Sequence, residues 1–319
     1  MKEHTILWIF LAFVLGFSLP VCSCAGSGFL MMSTVSRWIS DPSMASSGLG
    51  DAIAVIRLDG TIASTPADSF SLEGISPQNV QNMLQTAAEN PDIKAVVVRI
   101  NSPGGSVVAS DEIYHAFLDF EKPIVVWMDE IAASGGYYIS CGADYTFAHP
   151  DTLTGSIGVI SQFINAEDLL EDIGVDVMVI TTGPYKDTGS MFREMTSEEQ
   201  ALWEAIITET YDGFVEVVAE ARGMTTEEVQ ELADGRIYTG RQALSHGLVD
   251  AVGTSEDAIA KAAELGGIEG EPRIIELKTT PGFSDLLRGV QGHLSGMPSL
   301  TEILGWAGSP SLQFRFAGP

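Results

Sequence analysis

Short runs of β-branched residues, separated by stretches with helical spacing, constrain the fold more than any other feature of this sequence. The runs AIAVIRL (52–58), IKAVVVRI (93–100), PIVVWM (123–128) and VDVMVIT (175–181) are almost continuously apolar. Strands of this composition are typically covered on both faces, as in parallel sheets with helices on either side. Because strands and helices alternate along the chain, we predict an α/β fold with mainly parallel strands.

Start and stop signals bound the helical stretches. A helix opens at Ser76-Pro77, a second runs through SVVASDEIYHAFLDF, and a third starts at Ala166. A serine followed by proline is typical of a helix start, because the hydroxyl accepts a backbone N–H and proline needs no acceptor. A longer helical region is predicted from Ser197 to Ala221. Two further segments, TTEEVQELADG and TGRQALSHG, combine a capping-type start with a glycine stop.

The N-terminal residues are the most apolar part of the chain. No Asp, Glu, Lys or Arg occurs from His4 through Ser36, and the central stretch reads TILWIFLAFVLGFSLPV. A membrane-spanning helix needs roughly 20 apolar residues, whereas cleavable signal peptides have apolar regions of about 7 to 15 residues. We therefore predict an uncleaved signal-anchor over residues 1–25. Cys22 and Cys24 lie where a lipoprotein signal would place its modified cysteine, so a lipid anchor remains the alternative.

The rest of the chain divides by composition. Residues 26–50 are rich in Gly and Ser and have no periodic pattern, which is typical of a linker. No long linker divides residues 51–275, which we predict as the folded domain, and residues 276–319 are predicted as a C-terminal tail. Cys141 is the only cysteine beyond residue 24, so this domain cannot contain an internal disulfide. We interpret Cys141 as a small buried residue.

Charge and missing motifs exclude several functions. Sixteen basic residues against 43 acidic ones give a formal net charge of −27. Such a field repels phosphate backbones, so we expect no nucleic-acid partner. The sequence contains no GxGxxG, GxxxxGK(S/T), HExxH, paired CxxC or GxSxG motif, which disfavours dinucleotide, nucleoside-triphosphate and zinc chemistry. We therefore expect neither a cofactor nor a metal.

The segment Asn101-Ser102-Pro103-Gly104-Gly105 ends an apolar strand and opens a helix. Glycines allow the backbone to turn sharply there and leave N–H groups exposed. Exposed amides at a helix N-terminus are suited to stabilising an oxyanion, which acyl transfer requires. An ordinary strand-to-helix turn is the alternative interpretation.

Ser134 lies in a second segment of this kind, AASGGYY (132–138), which also follows an apolar strand. Small neighbours on both sides leave its hydroxyl open to a peptide carbonyl. The amide of Gly135 would supply an oxyanion donor, because the residue after a nucleophile at a helix start directs its N–H into the same space. A serine at a helix start is also a good cap, which is the alternative.

A serine nucleophile needs a base, and the five histidines lie in no recognisable motif. The remaining option is a neutral lysine. Of the six lysines, Lys186 is distinguished by its place in the loop Gly183-Pro184-Tyr185-Lys186-Asp187, directly after a predicted strand. An unpaired lysine in a dry cleft loses its proton more easily, because desolvation disfavours the charged form. A solvated loop lysine is the alternative interpretation.

Several motifs, taken in order, resemble the short form of signal peptide peptidase A. They are AASGGYY, TLTGSIGVI, GPYKDTGSMFREMT and DGRIYTGRQALSHGLVD, and the similarity runs from about residue 51 to 270. The resemblance implies a Clp-protease/crotonase-like fold of repeated β-β-α units with an N-terminal transmembrane segment. It also implies that residues 51–275 form an extracytoplasmic protease catalytic domain at the cell membrane.

The resemblance further implies a serine endopeptidase that hydrolyses released signal peptides and other hydrophobic peptides through an acyl-enzyme. The nucleophile would be Ser134, the base Lys186, and the oxyanion donors the amides of Gly105 and Gly135. Members of this family assemble into rings, so a homo-oligomer with each active site shared between neighbouring subunits is expected.

Three alternatives remain open at this point. Ser156, in Thr154-Gly155-Ser156-Ile157-Gly158, competes as nucleophile because it also lies in a turn of small residues. A crotonase-like acyl-CoA enzyme would share the architecture, but it accounts for neither the serine and lysine nor the anchor. A catalytically inactive membrane-bound scaffold is the non-enzyme alternative.

Overall fold

The computed structural model describes residues 50–64, 74–278 and, for the backbone, 313–315. The predicted signal-anchor, nearly all of the predicted linker and most of the predicted tail lie outside these residues. In the part of the chain that is described, no helix is long and apolar enough to cross a membrane.

The described residues form strands and helices in the alternation that the sequence predicts. The strands are β1 (Ala52–Asp59), β2 (Ile93–Ser102), β3 (Gly104–Ser106), β4 (Ile124–Ala133), β5 (Tyr145–Ala148), β6 (Leu153–Gly155), β7 (Ile237–Thr239), β8 (Ala251–Val252), β9 (Arg273–Leu277) and β10 (Gln313–Arg315). The helices are α1 (Pro77–Glu89), α2 (Val107–Leu118), α3 (Gly135–Ser140), α4 (Glu167–Asp172), α5 (Ser197–Arg222), α6 (Thr226–Leu232), α7 (Gly240–Ser245) and α8 (Ser255–Leu265).

One mixed sheet organises the fold. Its strands follow the order β7-β6-β4-β2-β1-β9, while β5 pairs with both β4 and β8. The pairs are parallel, apart from the antiparallel pair of β6 and β7. The short strands β3 and β10 pair with each other in a separate antiparallel ladder. The predicted α/β fold with mainly parallel strands is confirmed.

Helices cover both faces of the sheet. In β1, Ile53 packs with Ala95 and Val97 of β2 and with alanines of α8. Ile56 faces the opposite side, where side chains of α1, α2, α3 and α5 form the larger core. Ile53 and Ile56 are fully buried, and each contributes roughly 1.5–3 kcal/mol relative to an exposed side chain.

The helix starts agree with the sequence signals. Ser76 is the N-cap of α1 and its hydroxyl accepts the N–H of Asn79, while Pro77 occupies the first turn. Thr196 forms a capping box with Glu199 at the start of α5, as Thr225 and Thr239 do with their partners in α6 and α7. These caps satisfy first-turn N–H groups that have no acceptor within the helix.

One predicted strand is wrong. Residues 175–181 (VDVMVIT) form no strand, and α4 is followed instead by an irregular, exposed segment. Met178 and Ile180 are 87% and 88% exposed, so the run neither joins the sheet nor enters the core. Its β-branched composition favours extended backbone, but a strand also needs a neighbour, and none is present among the described residues.

Candidate active site

Ser134 lies between β4 and α3 in a backbone conformation that residues other than glycine rarely adopt. Its φ is 55° and its ψ is −116°, and such strain is typical of functional positions. Ser134 occupies the N-cap position of α3, yet its side chain caps no backbone N–H. The interpretation of Ser134 as a simple helix cap is therefore wrong. Its hydroxyl makes no hydrogen bond with any residue that the structure describes.

Ser156, the competing nucleophile, lies beside Ser134 at the end of the sheet. The register of β4 and β6 places Ala133 opposite Gly155, and the N–H of Ser134 donates to the Gly155 carbonyl oxygen at 2.7 Å. Ser156 also has a positive φ, 50°. Its N–H donates to the carbonyl oxygen of Arg236 at 2.9 Å. A positive φ alone therefore does not decide which of the two serines is the nucleophile. Of the two, only Ser134 is followed directly by the start of a helix.

Gly135 and Gly105, the predicted oxyanion donors, lie next to each other. A Cβ atom on Gly135 would lie 3.2 Å from the backbone nitrogen of Gly105 and 2.6 Å from the Ser110 hydroxyl. On Gly105, a Cβ atom would lie 1.9 Å from the carbonyl oxygen of Ile62. Neither position accepts a side chain unless its surroundings move. The structure therefore brings Gly105 close to Gly135 and its neighbour Ser134.

One edge of β3 pairs with Ile62 and the other with β10. The N–H of Ile62 donates to the carbonyl oxygen of Gly104 at 3.0 Å, and the N–H of Ser106 donates to the carbonyl oxygen of Ile62 at 2.8 Å. Because successive residues of a strand direct their polar groups to opposite edges, the N–H and carbonyl of Gly105 face the other side. There the antiparallel register pairs Gly105 with Phe314. An extended segment can thus bind alongside the Gly105 amide.

Lys186 lies in a compact turn between α4 and α5. Its N–H donates to the carbonyl oxygen of Gly183 at 3.2 Å, and the N–H of Ser190 donates to the carbonyl oxygen of Asp187 at 2.9 Å. The lysine side chain is exposed and makes no hydrogen bond or ion pair with any described residue. Within the described part of one chain, the structure therefore does not join Lys186 to Ser134 by a hydrogen bond.

An arginine and two acidic residues near Lys186 form a cluster that the sequence reasoning missed. Arg193 forms ion pairs with both Asp187 and Glu199. Hydrogen bonds from Arg193 lower the pKa of the Asp187 carboxyl. Those from Arg193 and from the Thr196 N–H hold the pKa of the Glu199 carboxyl well below its usual range. The sequence signal was an arginine six residues from each of two acids, the second of them at capping-box spacing from Thr196.

Cys141 is free and buried, as the sequence predicts. Burial raises the pKa of its thiol to about 11. Because the thiolate is the reactive form of cysteine, Cys141 is held in an inert state and does not compete with the serines as a nucleophile.

Two family models match the chain. Peptidase family S49 matches residues 116–269, and Clp protease matches residues 72–154. Ser134 lies in both matched ranges, Gly105 in the second and Lys186 in the first.

Several curated proteins are similar over most of this chain. A putative protease from Synechocystis sp. is 42% identical over 255 residues, which cover 79% of this chain and 87% of the relative. A putative signal peptide peptidase SppA from Enterococcus faecium is 35% identical over 297 residues, which cover 89% and 86%. The chloroplastic serine protease SPPA of Arabidopsis thaliana is 33% identical over 277 residues, 83% of this chain but only 40% of that longer relative.

The mixed sheet, the helices on both its faces and the two family matches define a serine protease with a Clp-protease-like α/β fold. More specifically, the chain belongs to the signal peptide peptidase SppA family, peptidase family S49. The resemblance that the sequence motifs indicate is thereby confirmed.

Proposed function

We propose that this protein is a membrane-anchored serine endopeptidase that hydrolyses released signal peptides and other hydrophobic peptides, with Ser134 as nucleophile and Lys186 as general base. The backbone conformation of Ser134 is the main observation that supports this proposal. A strained serine with an uncommitted hydroxyl, directly followed by a glycine whose amide opens a helix, supports the nucleophile assignment.

In the proposed mechanism, neutral Lys186 accepts the proton of the Ser134 hydroxyl as Oγ attacks the scissile carbonyl carbon. The carbonyl oxygen becomes an oxyanion and accepts hydrogen bonds from the N–H groups of Gly105 and Gly135. The C–N bond then breaks, and the leaving amine takes the proton from Lys186. Water attacks the resulting ester with Lys186 again as base, which releases the acid and restores the Ser134 hydroxyl.

The base would come from a neighbouring subunit of a homo-oligomeric ring. Lys186 follows an exposed apolar segment in which Ile173, Met178 and Ile180 are 64%, 87% and 88% exposed. Neighbouring apolar residues that are this exposed are typical of an interface. In a cyclic assembly the same two surfaces meet at every junction, so each Lys186 would reach the Ser134 of the next subunit.

The substrate would bind as an extended strand on β3, in the place that β10 occupies. The antiparallel pairing of β10 with β3 supports this mode, because it sets an extended backbone against Gly105. Main-chain hydrogen bonds would supply affinity, and small pockets would accept alternate side chains. The apolar residues 1–25 would hold the catalytic domain at the outer face of the cell membrane, near hydrophobic peptides that need no electrostatic steering.

A cleavage assay on a synthetic signal peptide, with the full chain in detergent, tests this function. Ser134→Ala is expected to abolish hydrolysis. Ser156→Ala leaves Ser134 in place and is expected to retain turnover. Lys186→Arg is expected to be inactive, because arginine does not lose its proton. If the Ser134→Ala enzyme is active and the Ser156→Ala enzyme is inactive, the nucleophile is Ser156 and not Ser134.

A further inference from the structure

Arg193 uses all five of its side-chain N–H donors within the described residues. Its Nε and Nη2 each donate to one carboxylate oxygen of Asp187 at 2.9 Å. Its Nη1 and Nη2 donate to the two carboxylate oxygens of Glu199 at 2.8 and 2.5 Å. The second hydrogen of Nη1 goes to the carbonyl oxygen of Glu194 at 2.9 Å. A planar guanidinium that meets two carboxylates in this way fixes their positions, which a lysine ammonium could not do.

Glu199 anchors this cluster to a long helix. Its side chain is only 2% exposed, and it accepts hydrogen bonds from the Thr196 N–H at 2.9 Å and from the Thr188 hydroxyl at 3.0 Å. The first of these belongs to the capping box of α5, which is 26 residues long. Arg193 therefore connects the start of a rigid element to Asp187, the residue directly after Lys186.

A second contact holds the same turn. Gly189 has a φ of +79°, and a Cβ atom there would lie 2.7 Å from a ring carbon of Phe163. The Phe163 ring meets the ring of Trp203 in α5 edge to face, with centroids 4.9 Å apart. The turn thus lies against an aromatic pair on one side and is tied to Glu199 through Arg193, so its position follows that of α5.

The placement of Asp187 matters for the chemistry of its neighbour. A free carboxylate next to Lys186 could pair with the lysine ammonium, and such pairing favours the charged form that cannot act as a base. In the structure both Asp187 oxygens are taken by Arg193. Lys186 meanwhile has no ion-pair partner among the described residues.

We propose that Arg193 is a positioning residue for the peptidase reaction. Its hydrogen bonds to Asp187 and Glu199 fix the position of the turn that contains Lys186. They also keep the Asp187 carboxylate from pairing with the lysine. This inference rests on the proposed function, since it requires Lys186 to be the base. Besides Lys186, the charged residues that hydrogen bonds or ion pairs join to this turn are Asp187, Arg193, Glu194, Glu199 and, on α4, Glu167, which accepts the Glu194 N–H.

The test is the pH dependence of kcat/KM for Arg193→Gln on a synthetic signal peptide. We expect kcat to fall by about 10- to 100-fold with little change in KM, because a displacement of about 1 Å in a catalytic group costs up to about 100-fold. We also expect the acid limb of the profile to move to higher pH, because the released Asp187 carboxylate stabilises the charged lysine. In the double variant Asp187→Asn/Arg193→Gln, the acid limb should return to its wild-type pH because the carboxylate is gone. Its kcat should stay low because Arg193 no longer holds the turn.

Arg241→Gln is the matched control, because it removes an arginine that pairs with Asp151 on the exposed surface. It should change neither kcat nor the pH profile. Melting temperature and oligomer mass are measured for every variant. Arg193→Lys replaces Arg193→Gln if the latter fails to fold, and it should show an intermediate loss of kcat.

The outcomes separate this inference from the proposed function. A folded, assembled Arg193→Gln enzyme with wild-type kcat and a wild-type acid limb overturns the role of Arg193. If Lys186→Arg is inactive in the same assay, the proposed base survives that result. An active Lys186→Arg enzyme instead removes the base, and the role of Arg193 is lost with it.

Discussion

The N–H of Ser134 donates to the carbonyl oxygen of Gly155 at 2.7 Å, which commits the amide of the proposed nucleophile to the sheet. This amide is therefore not free to stabilise an oxyanion at Ser134. The donors must come from elsewhere. We propose the amide of Gly135 and, when a substrate strand replaces β10 along β3, that of Gly105. The same hydrogen bond holds Ser134 at the end of β4, where its φ of 55° places the backbone in a region that favours glycine.

The strain at Ser134 predicts that glycine is more stable than alanine at this position. Ser134→Gly and Ser134→Ala both remove the hydroxyl, so both should be inactive. Only glycine relieves the positive φ, a strain of about 1–3 kcal/mol, although it adds conformational entropy to the unfolded chain. Ser134→Gly should therefore be more stable than Ser134→Ala by about 1 kcal/mol. Urea unfolding of the two variants measures this difference, and equal midpoints would show that Ser134 is unstrained.

Gly105 offers a test of the oxyanion donors that leaves Ser134 intact. A methyl group at position 105 would lie 1.9 Å from the Ile62 carbonyl oxygen, so Gly105→Ala must displace β3 and its amide. Loss of one oxyanion donor typically costs about 100- to 1000-fold in kcat, and we expect a loss of that order.

Gly213→Ala in α5 is the matched control for this substitution. A Cβ atom there meets no atom within 4 Å, so activity should be unchanged. The helix should gain about 0.5–1 kcal/mol, because alanine is the better helix former. Near-normal kcat in a folded Gly105→Ala enzyme would exclude the Gly105 amide as a donor.

Much of the fold could be predicted because its signals are local. The Val and Ile runs at 52–58, 93–100 and 123–128 became β1, β2 and β4, and the Ser76 and Thr225 caps mark real helix starts. The same composition at 175–181 gave a wrong strand prediction, because β-branched residues indicate extended backbone and not the presence of a neighbouring strand.

The candidate site was predicted in part. Glycine-rich turns after two apolar strands indicated exposed amides at helix starts, and the family resemblance assigned the oxyanion donors to Gly105 and Gly135. The geometry of Ser134 could not be read from the sequence, because a positive φ at a serine is imposed by tertiary contacts. The Arg193 cluster was missed for a similar reason. Each of its members is an ordinary surface residue type, and only the turn after Lys186 brings them together.

Cys141 gives a prediction about pH and stability. Its folded pKa is raised to about 11 by burial, whereas an unfolded cysteine has a pKa of about 8.5. The stabilising effect of the neutral thiol is therefore complete below pH 8.5 and is lost as pH rises toward 11, because only the unfolded chain ionises in that range. The stability advantage of wild type over Cys141→Ala should shrink by about 1 kcal/mol between pH 8 and 9.5. Urea unfolding at several pH values checks this, and a pH-independent difference would mean that the thiol ionises in the folded protein.

Subunit mixing tests whether each active site is shared. Lys186 makes no hydrogen bond to Ser134 within the described part of one chain, and the proposed ring would place one subunit's lysine beside the next subunit's serine. Ser134→Ala and Lys186→Ala proteins, each inactive, should regain activity when they are co-assembled. At equal ratio, random mixing leaves about one quarter of the junctions with both groups intact, so about one quarter of wild-type activity is expected.

The control for this mixture replaces the Lys186→Ala protein with the Ser134→Ala/Lys186→Ala double variant. That mixture contains no Ser134 in any subunit, so it should stay inactive although it assembles in the same way. Subunit exchange is verified in both mixtures with differently labelled proteins and native mass spectrometry. If the Ser134→Ala and Lys186→Ala subunits exchange fully and the mixture remains inactive, the serine and lysine belong to the same chain. Lys186 would then have to reach Ser134 through a rearrangement of the 183–190 turn within one subunit.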